Sequence, residues 1–328
     1  MPLIELSSKG FYCSAGGFYI DPWRKVDYAV VTHAHTDHYT PNCKHYLVSS
    51  PGRQVFEARL GLKADIQTLP YGETTTINGV KVSLHPAGHI FGSAQVRVEH
   101  KGEVWVVSGD YKLQADNTCA PFEPVKCHTF ITEATFALPI YKWSPSEEIF
   151  SSINIWWQQN QKRGRATVLY GYSLGKAQRL LAHVDSSIGP IYVHKSVDGM
   201  NDAYRRSGVH LPDTKTLAQL QRHEWSKSLI ITPPNGMTTM FGDVSTAFAS
   251  GWMRTQSMRR RRSMQKGFVL SDHADWEGTL QAIRATGAER IGVTHGFIDV
   301  LVRWLREEGY EATGYSTHFS AASTGESG

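Results

Sequence analysis

The chain has 328 residues and a formal net charge of +4; 41% of its residues are hydrophobic and 20% are charged. This is an ordinary globular composition, and so small a net charge is by itself weak support for a polyanionic partner. No apolar run approaches the roughly 20 residues that span a membrane, and the first residues lack a basic region followed by an apolar core. We therefore expect a cytoplasmic protein without membrane association, whose four widely spaced cysteines are reduced thiols.

The first informative element is the run 28–32, which is short, apolar and β-branched and predicts a buried strand. Four potential metal ligands follow it within six residues: His33, His35, Asp37 and His38. Histidines two positions apart cannot share one face of a helix, so the motif predicts a strand end that enters a tight turn. Imidazole and carboxylate donors together suit zinc or manganese.

Several later strands also end in a residue of catalytic type. A turn presents His89, and predicted strands end at Asp110, Glu133, His273 and His295. In α/β folds, the carboxyl ends of strands are where ligands bind. So many polar strand ends beside a dense ligand cluster indicate one shared site rather than independent packing.

The middle of the chain predicts a second α/β domain, inserted between Glu133 and His273, because strands 166–172, 190–194 and 228–232 fall there. The Gly175–Lys176 pair opens a helix after the first of these strands, which favours binding of a phosphate by the helix N-terminus. The glycine spacing of a P-loop is missing, so ATP binding is not indicated.

The motif His33-x-His35-x-Asp37-His38, followed by His89 and Asp110, resembles the metallo-β-lactamase fold in its nuclease form. Glu133, His273 within Ser-Asp-His-Ala-Asp and His295 within Thr-His-Gly resemble the added motifs of β-CASP nucleases. The stretches 251–253, 268–276 and 293–296, with the arginine run, are similar to the bacterial ligase-associated DNA exonucleases, over essentially the whole chain. The resemblance implies a metallo-β-lactamase αββα sandwich, residues 1–137 and 267–328, interrupted by a β-CASP α/β domain, residues 138–266.

The resemblance also implies a ligand set for two divalent ions, zinc or alternatively manganese. One ion takes three histidines, the other takes Asp37 with two histidines, and Asp110 bridges them; the histidines are His33, His35 and His89 for the first ion and His38 and His295 for the second. A hydroxide activated by both ions would attack phosphorus. Asp21 is implied to orient ligand histidines from behind.

Asp37, Asp110, Glu133 and His273 form the expected catalytic set. A carboxylate beside an imidazole favours the protonated ring, so His273 could bind the scissile phosphate and donate a proton to the leaving oxygen. The arginine run is expected to contact nucleic acid, and consists of Arg259, Arg260, Arg261 and Arg262. Tyr111 could stack on a terminal base, although packing in the core is favoured.

The resulting hypothesis is a DNA exonuclease acting at single-strand or duplex ends in DNA repair, with a 5′ to 3′ direction favoured. An ATP-dependent DNA ligase and a helicase are partners implied by the resemblance alone. A β-CASP ribonuclease is the alternative, because many DNA-acting relatives carry an aliphatic residue at the position of His295. A non-catalytic nucleic-acid-binding subunit is disfavoured because such proteins lose ligands, and every ligand is present here. A small-molecule hydrolase would not need Glu133, His273 or the insert.

Overall fold

The structure is a computed structural model that describes residues 2–61, 63–234, 236–237, 241–255 and 266–317. The described residues form three β-sheets and six α-helices, which makes this an α/β protein, as the sequence predicts. The described residues divide into two compact units: one contains the residues up to Lys142 and residues 273–317, and the other lies within Trp143–Asp272. Within the described ranges, no helix is long and apolar enough to cross a membrane.

The first unit contains two sheets, and the strands of the first follow chain order. They are β1 (Glu5–Ser7), β2 (Gly10–Cys13), β3 (Phe18–Ile20), β4 (Tyr28–Val30), β5 (His45–Ser49) and β6 (Ile66–Leu69). Strands β1 to β3 pair antiparallel, and β3 to β6 pair parallel. Helix α1 (Arg53–Leu60) joins β5 to β6.

The second sheet of this unit has seven strands in the order β19-β18-β11-β10-β9-β8-β7. They are β7 (Thr74–Ile77), β8 (Val80–Pro86), β9 (Ala94–His100), β10 (Glu103–Val107), β11 (Thr129–Glu133), β18 (Arg290–Thr294) and β19 (Glu311–Gly314). Pairing is antiparallel from β7 to β10 and parallel from β10 to β19.

One apolar core joins the two sheets of the first unit. Side chains such as Phe18 and Val30 from the first sheet pack in one cluster with Val82, Val96 and Ile131 from the second. A second cluster covers the other side of the second sheet with helices α5 (Trp276–Thr286) and α6 (Ile298–Glu307). Burial of these apolar faces is what stabilises a layered unit of this kind.

The second unit is built on a parallel six-stranded sheet in the order β14-β13-β15-β12-β16-β17. The strands are β12 (Ala166–Tyr170), β13 (Ile191–Val193), β14 (Lys215–Thr216), β15 (Leu229–Thr232), β16 (Val244–Ala249) and β17 (Lys266–Phe268). Its helices are α2 (Ser146–Lys162), α3 (Lys176–His183) and α4 (Lys195–Arg206). Short 3-10 turns span Leu217–Gln219, Arg222–Lys227 and Gly251–Arg254. Strands buried on both faces explain the continuous apolar runs read from the sequence.

Candidate metal centre

The first group of candidate ligands converges from two strand ends and a turn. Ligand atoms of His33, His35, His89 and Asp110 all lie within 4.8 Å of one another, and all four residues are buried. His35 Nδ1 lies 3.1 Å from both His33 Nε2 and His89 Nε2. His33 Nε2 lies 3.6 Å from Asp110 Oδ2. Three imidazoles and a carboxylate at these spacings are a donor set that suits zinc.

Gly88 allows the turn that presents His89. Its φ of 74° lies in the left-handed region, and a Cβ atom there would come within 2.3 Å of the Lys112 carbonyl oxygen. Only glycine combines this conformation with so close a backbone approach. The conformation of the turn is therefore determined by the close packing of the Gly88 backbone, and the His89 side chain is presented by it.

The second group consists of His38, Asp110 and His295, again with ligand atoms within 4.8 Å of one another. Asp37 lies outside both groups, with its Oδ2 atom 3.9 Å from His38 Nε2. Asp37 Oδ1 is buried and has no hydrogen-bond partner in the described part of the chain, and the buried His38 Nε2 faces Asp110 Oδ2 at 3.4 Å. Leaving a buried polar atom unpaired costs about 1–3 kcal/mol, so the Asp37 oxygen fits a site that receives a cation. The donors of both groups thus fit divalent ions.

Asp21 supports the second group from behind. Its Oδ2 atom lies 2.7 Å from His38 Nδ1 and accepts a 2.6 Å hydrogen bond from Thr32 Oγ1, while its Oδ1 accepts from the Thr32 N–H at 2.8 Å. A carboxylate on Nδ1 of a histidine orients the ring and presents Nε2 to the site. Asp21 therefore contacts His38 on the side away from Nε2, and its role in orienting a metal ligand stays a prediction.

Thr32 is a contributor that sequence reasoning missed, having counted it only as the end of a strand. Its hydroxyl contacts Asp21 and also lies 3.0 Å from His33 Nδ1. It therefore touches both the residue that supports His38 and a ligand of the first group. The signal available in the sequence was a hydroxyl residue immediately before the first histidine.

Burial favours neutral ligands at two positions. Burial, followed by the charges of His38 and His89, lowers the pKa of His33 well below its ordinary value. Burial is also the main reason that the pKa of His295 is lowered. Because a metal binds the neutral imidazole, these shifts reduce the competition from protons.

Glu133 and His273 form a buried pair beside the ligands. His273 Nδ1 lies 3.0 Å from Glu133 Oε1 and 2.9 Å from Oε2. Glu133 Oε1 also accepts a 2.8 Å hydrogen bond from the Tyr111 N–H. Asp110, Glu133 and His273 have ligand atoms within 4.8 Å of one another, so the pair adjoins the carboxylate shared by the two ligand groups.

The phosphate site expected at Gly175 and Lys176 requires correction. The Lys176 side chain is 1% exposed, and its ammonium group donates to the Leu270 carbonyl at 2.7 Å and lies 3.0 Å from Asp272 Oδ2. The Gly175 N–H donates to Gln178 Oε1 at 2.8 Å. The Lys176 ammonium and the Gly175 N–H are therefore already occupied by partners within the second unit. They contribute to its packing and do not form a phosphate-binding site.

Two other expectations are resolved differently. Tyr111 is 0% exposed and packs against the rings of Phe122 and Phe130, so it belongs to the core as favoured from the sequence.

The arginine run, Arg259 to Arg262, lies outside the described residues. Its expected contact with nucleic acid stays a prediction.

Comparison with known proteins gives sequence relatives. The chain is 32% identical over 321 residues to "Probable DNA ligase" of Opitutus terrae, which covers 95% of this chain but 31% of that protein. It is 26% identical over 299 residues to "Endoribonuclease YSH1" of Kluyveromyces lactis, covering 70% of this chain and 38% of that one. It is 28% identical over 164 residues to "Cleavage and polyadenylation specificity factor 73" of Drosophila melanogaster, covering 43% and 24% respectively. The chain therefore spans about a third of the length of the ligase-named relative.

No family model matches the chain. Among solved structures, a protein of unknown function from Enterococcus faecalis V583 is similar, with a TM-score of 0.55 and 12% sequence identity over 81% of this chain and 74% of that one. At this identity the likeness concerns the fold alone. The chain is thus an α/β protein with a histidine- and carboxylate-rich centre, similar in sequence to proteins named as a ligase and as endoribonucleases.

Proposed function

We propose that this chain is a metal-dependent nuclease that hydrolyses phosphodiester bonds at DNA strand ends, with a 5′ to 3′ direction favoured. The observation that carries the proposal is that Asp110 is shared by two candidate ligand groups and also adjoins the Glu133–His273 pair. Similarity to a relative named "Endoribonuclease YSH1" also supports a phosphodiesterase. The first unit would be the metallo-β-lactamase sandwich, and the Trp143–Asp272 unit the β-CASP domain expected at 138–266.

The two ligand groups are well suited to the chemistry of a phosphodiester. Divalent ions bound there, zinc or manganese, would lower the pKa of a water molecule and offset negative charge on a phosphate. Within the chain, Asp110 would bridge the two groups, and Asp21 would hold His38 in the orientation that offers Nε2. Asp37 would join the second group through its unpaired Oδ1 atom.

The Glu133–His273 pair supplies a proton where the reaction needs one. Glu133 engages Nδ1 of His273, so His273 would contact the scissile phosphate through Nε2. A proton donated there would neutralise the oxygen that leaves phosphorus. A hydrolase for activated substrates has no need of such a pair, because its leaving group departs without help.

DNA is favoured over RNA as the substrate because the alignment with the ligase-named relative covers almost the whole chain. Nearly the whole chain aligns with a third of a protein named as a DNA ligase, which supports a role at DNA ends and association with a ligase. The arginine run, Arg259 to Arg262, would contribute contacts to phosphates. A helicase partner rests on the resemblance alone.

A ribonuclease is the second candidate, for two observations. Proteins named as endoribonucleases are among the relatives, and His295 belongs to the second ligand group. His295 adopts a left-handed conformation with φ of 54°, directly before Gly296. A non-glycine residue in this region is uncommon. Its presence here is consistent with a position where the imidazole side chain is needed.

A matched digestion decides between the two substrates. DNA and RNA strands, each labelled at the 5′ or the 3′ end, are incubated with metal-stripped protein reloaded with zinc or manganese, and Asp110→Ala serves as the inactive control. Mononucleotide release from DNA, lost in the control, is expected, and the label that leaves first gives the direction. Preferential internal cutting of RNA would establish the ribonuclease, and cleavage that persists in Asp110→Ala would overturn both candidates.

A further inference from the structure

Tyr111 makes hydrogen bonds that connect the parts of the candidate site. It follows Asp110 directly, and its side chain is fully buried. Its backbone N–H donates to Glu133 Oε1 at 2.8 Å, and its carbonyl accepts from the Ala274 N–H at 2.7 Å. Its phenol oxygen lies 2.8 Å from Thr132 Oγ1. One residue thus contacts the carboxylate of the pair and the backbone next to His273.

The two members of the pair come from distant parts of the chain. Glu133 and His273 are 140 residues apart in sequence, and they lie at the end of β11 and just before α5. The Tyr111 backbone contacts Glu133 on one side and the residue following His273 on the other. A shift of Tyr111 would therefore change the contact between them. Displacement of a catalytic group by about 1 Å can lower a rate about 100-fold.

We propose that Tyr111 is a positioning residue for proton donation by His273, and that the bond between its hydroxyl and Thr132 keeps its backbone in place. The proposal rests on the proposed nuclease function. In that reaction a water oxygen bonds to phosphorus, the bond from phosphorus to the leaving oxygen breaks, and the leaving oxygen takes the proton from His273. The proton lost by the water passes to solvent, and His273 takes up a proton from solvent before the next turnover.

The hydroxyl is the part of Tyr111 that can be removed without disturbing the rest. The ring packs against Phe122 and Phe130, with centroids 5.2 and 6.3 Å away, and Tyr111→Phe keeps that packing. The phenol oxygen lies 2.8 Å from Thr132 Oγ1 and also contacts the Thr279 side chain. Thr132→Val removes the partner together with the 3.1 Å hydrogen bond that Thr132 Oγ1 donates to the Glu133 carbonyl, so Tyr111→Phe is the more specific variant; Thr132→Ser keeps a hydroxyl there.

The decisive test changes the leaving atom and nothing else. DNA ends are prepared with an ordinary terminal linkage or with sulfur in place of the leaving oxygen, in 3′-S and 5′-S forms. A thiolate leaves without being protonated, so cleavage of the sulfur linkage does not depend on a well-placed proton donor. Tyr111→Phe and Thr132→Val are expected to lower kcat on the oxygen linkage about tenfold, with KM changed less than about twofold and the sulfur linkage cleaved normally. Thr132→Ser should recover most of the activity.

Tyr46→Phe is the matched control for loss of a buried tyrosine hydroxyl. Tyr46 lies in the same unit, is 1% exposed, and its hydroxyl donates to the Thr40 carbonyl at 2.7 Å. This variant should leave kcat on both linkages unchanged. If Tyr111→Phe slows both linkages equally, or neither, Tyr111 has no positioning role. If the wild-type protein cleaves no DNA end with either metal, the proposed function itself is wrong, which is a separate result.

Discussion

His273 Nδ1 lies within 3.0 Å of both carboxylate oxygens of Glu133, and both side chains are buried beside Asp110. An imidazole held in this way by a carboxylate has one ring nitrogen fixed and its orientation set. The pair therefore differs from the ligand histidines, which converge on one another and on Asp110. The two arrangements can be separated by experiment.

Glu133→Gln should impair the reaction and spare the metal centre. Glutamine keeps the size of the side chain and an oxygen that can accept from the Tyr111 N–H, but it removes the carboxylate charge that lies within 3.0 Å of His273 Nδ1. We expect kcat on DNA ends to fall about a hundredfold with unchanged metal content. Steady-state kinetics and elemental analysis on the same preparation check this, and loss of a metal ion would show that Glu133 is a ligand instead.

Asp21→Asn should weaken metal binding by the second group. The variant replaces the carboxylate that contacts His38 Nδ1 and Thr32, so the orientation of His38 is no longer held. Removal of such a supporting carboxylate typically costs about 10–100-fold in affinity. Competition with a chelator measures the effect. Asp65→Asn, which alters an exposed aspartate–histidine pair with His45, is the matched control and should change nothing.

Asp272→Ala should strongly destabilise the protein. Asp272 lies 3.0 Å from the Lys176 ammonium and 3.1 Å from Arg179 Nη1, and the side chains of both cations are 1% exposed. Removing the shared carboxylate leaves two buried cations without it, at a cost of about 3–5 kcal/mol. Urea unfolding should show a large drop in the transition midpoint. Asp27→Ala, which breaks an exposed pair with Lys44, should leave the midpoint nearly unchanged, and equal shifts in both variants would contradict the role assigned to the cluster.

His85 should make stability depend on pH. Burial lowers the pKa of its imidazole in the folded protein, so the unfolded chain binds the proton more readily. Its contribution therefore favours folding at neutral pH, and stability falls as the pH drops through the unfolded value of about 6.5 towards the folded one. His85→Gln should flatten the dependence of the unfolding midpoint on pH over this window. A steeper dependence in the variant would contradict the sign.

The sequence indicates which residues come together in the candidate metal centre because those signals are local. The strand before His33 and the spacing of the following ligands lie within a dozen residues, and a short stretch determines the conformation that exposes them. The observed strand, Tyr28–Val30, is shorter than the predicted run 28–32, because Thr32 turns to bond Asp21 instead of continuing the ladder.

What the sequence does not predict are contacts between segments that lie far apart in the chain. In the sequence Lys176 looks available to bind a phosphate, because its actual partners are far away in the chain. The Leu270 carbonyl is 94 residues later, and the Asp272 carboxylate belongs to the same segment. The hydroxyl contact of Tyr111 with Thr132 likewise depends on how the segment after β10 lies against β11. The positions of these residues along the chain do not indicate either contact.

Metal content, measured together with cleavage of DNA ends, is the most direct test of a dinuclear centre shared through Asp110. Wild-type protein loaded with zinc or manganese should hold two ions per chain and release nucleotides from strand ends. Asp110→Ala should lose at least one ion and all cleavage, and Asp37→Ala should do the same if its unpaired Oδ1 atom is a ligand. Two tightly held ions in both variants, or full cleavage by metal-free protein, would contradict the account.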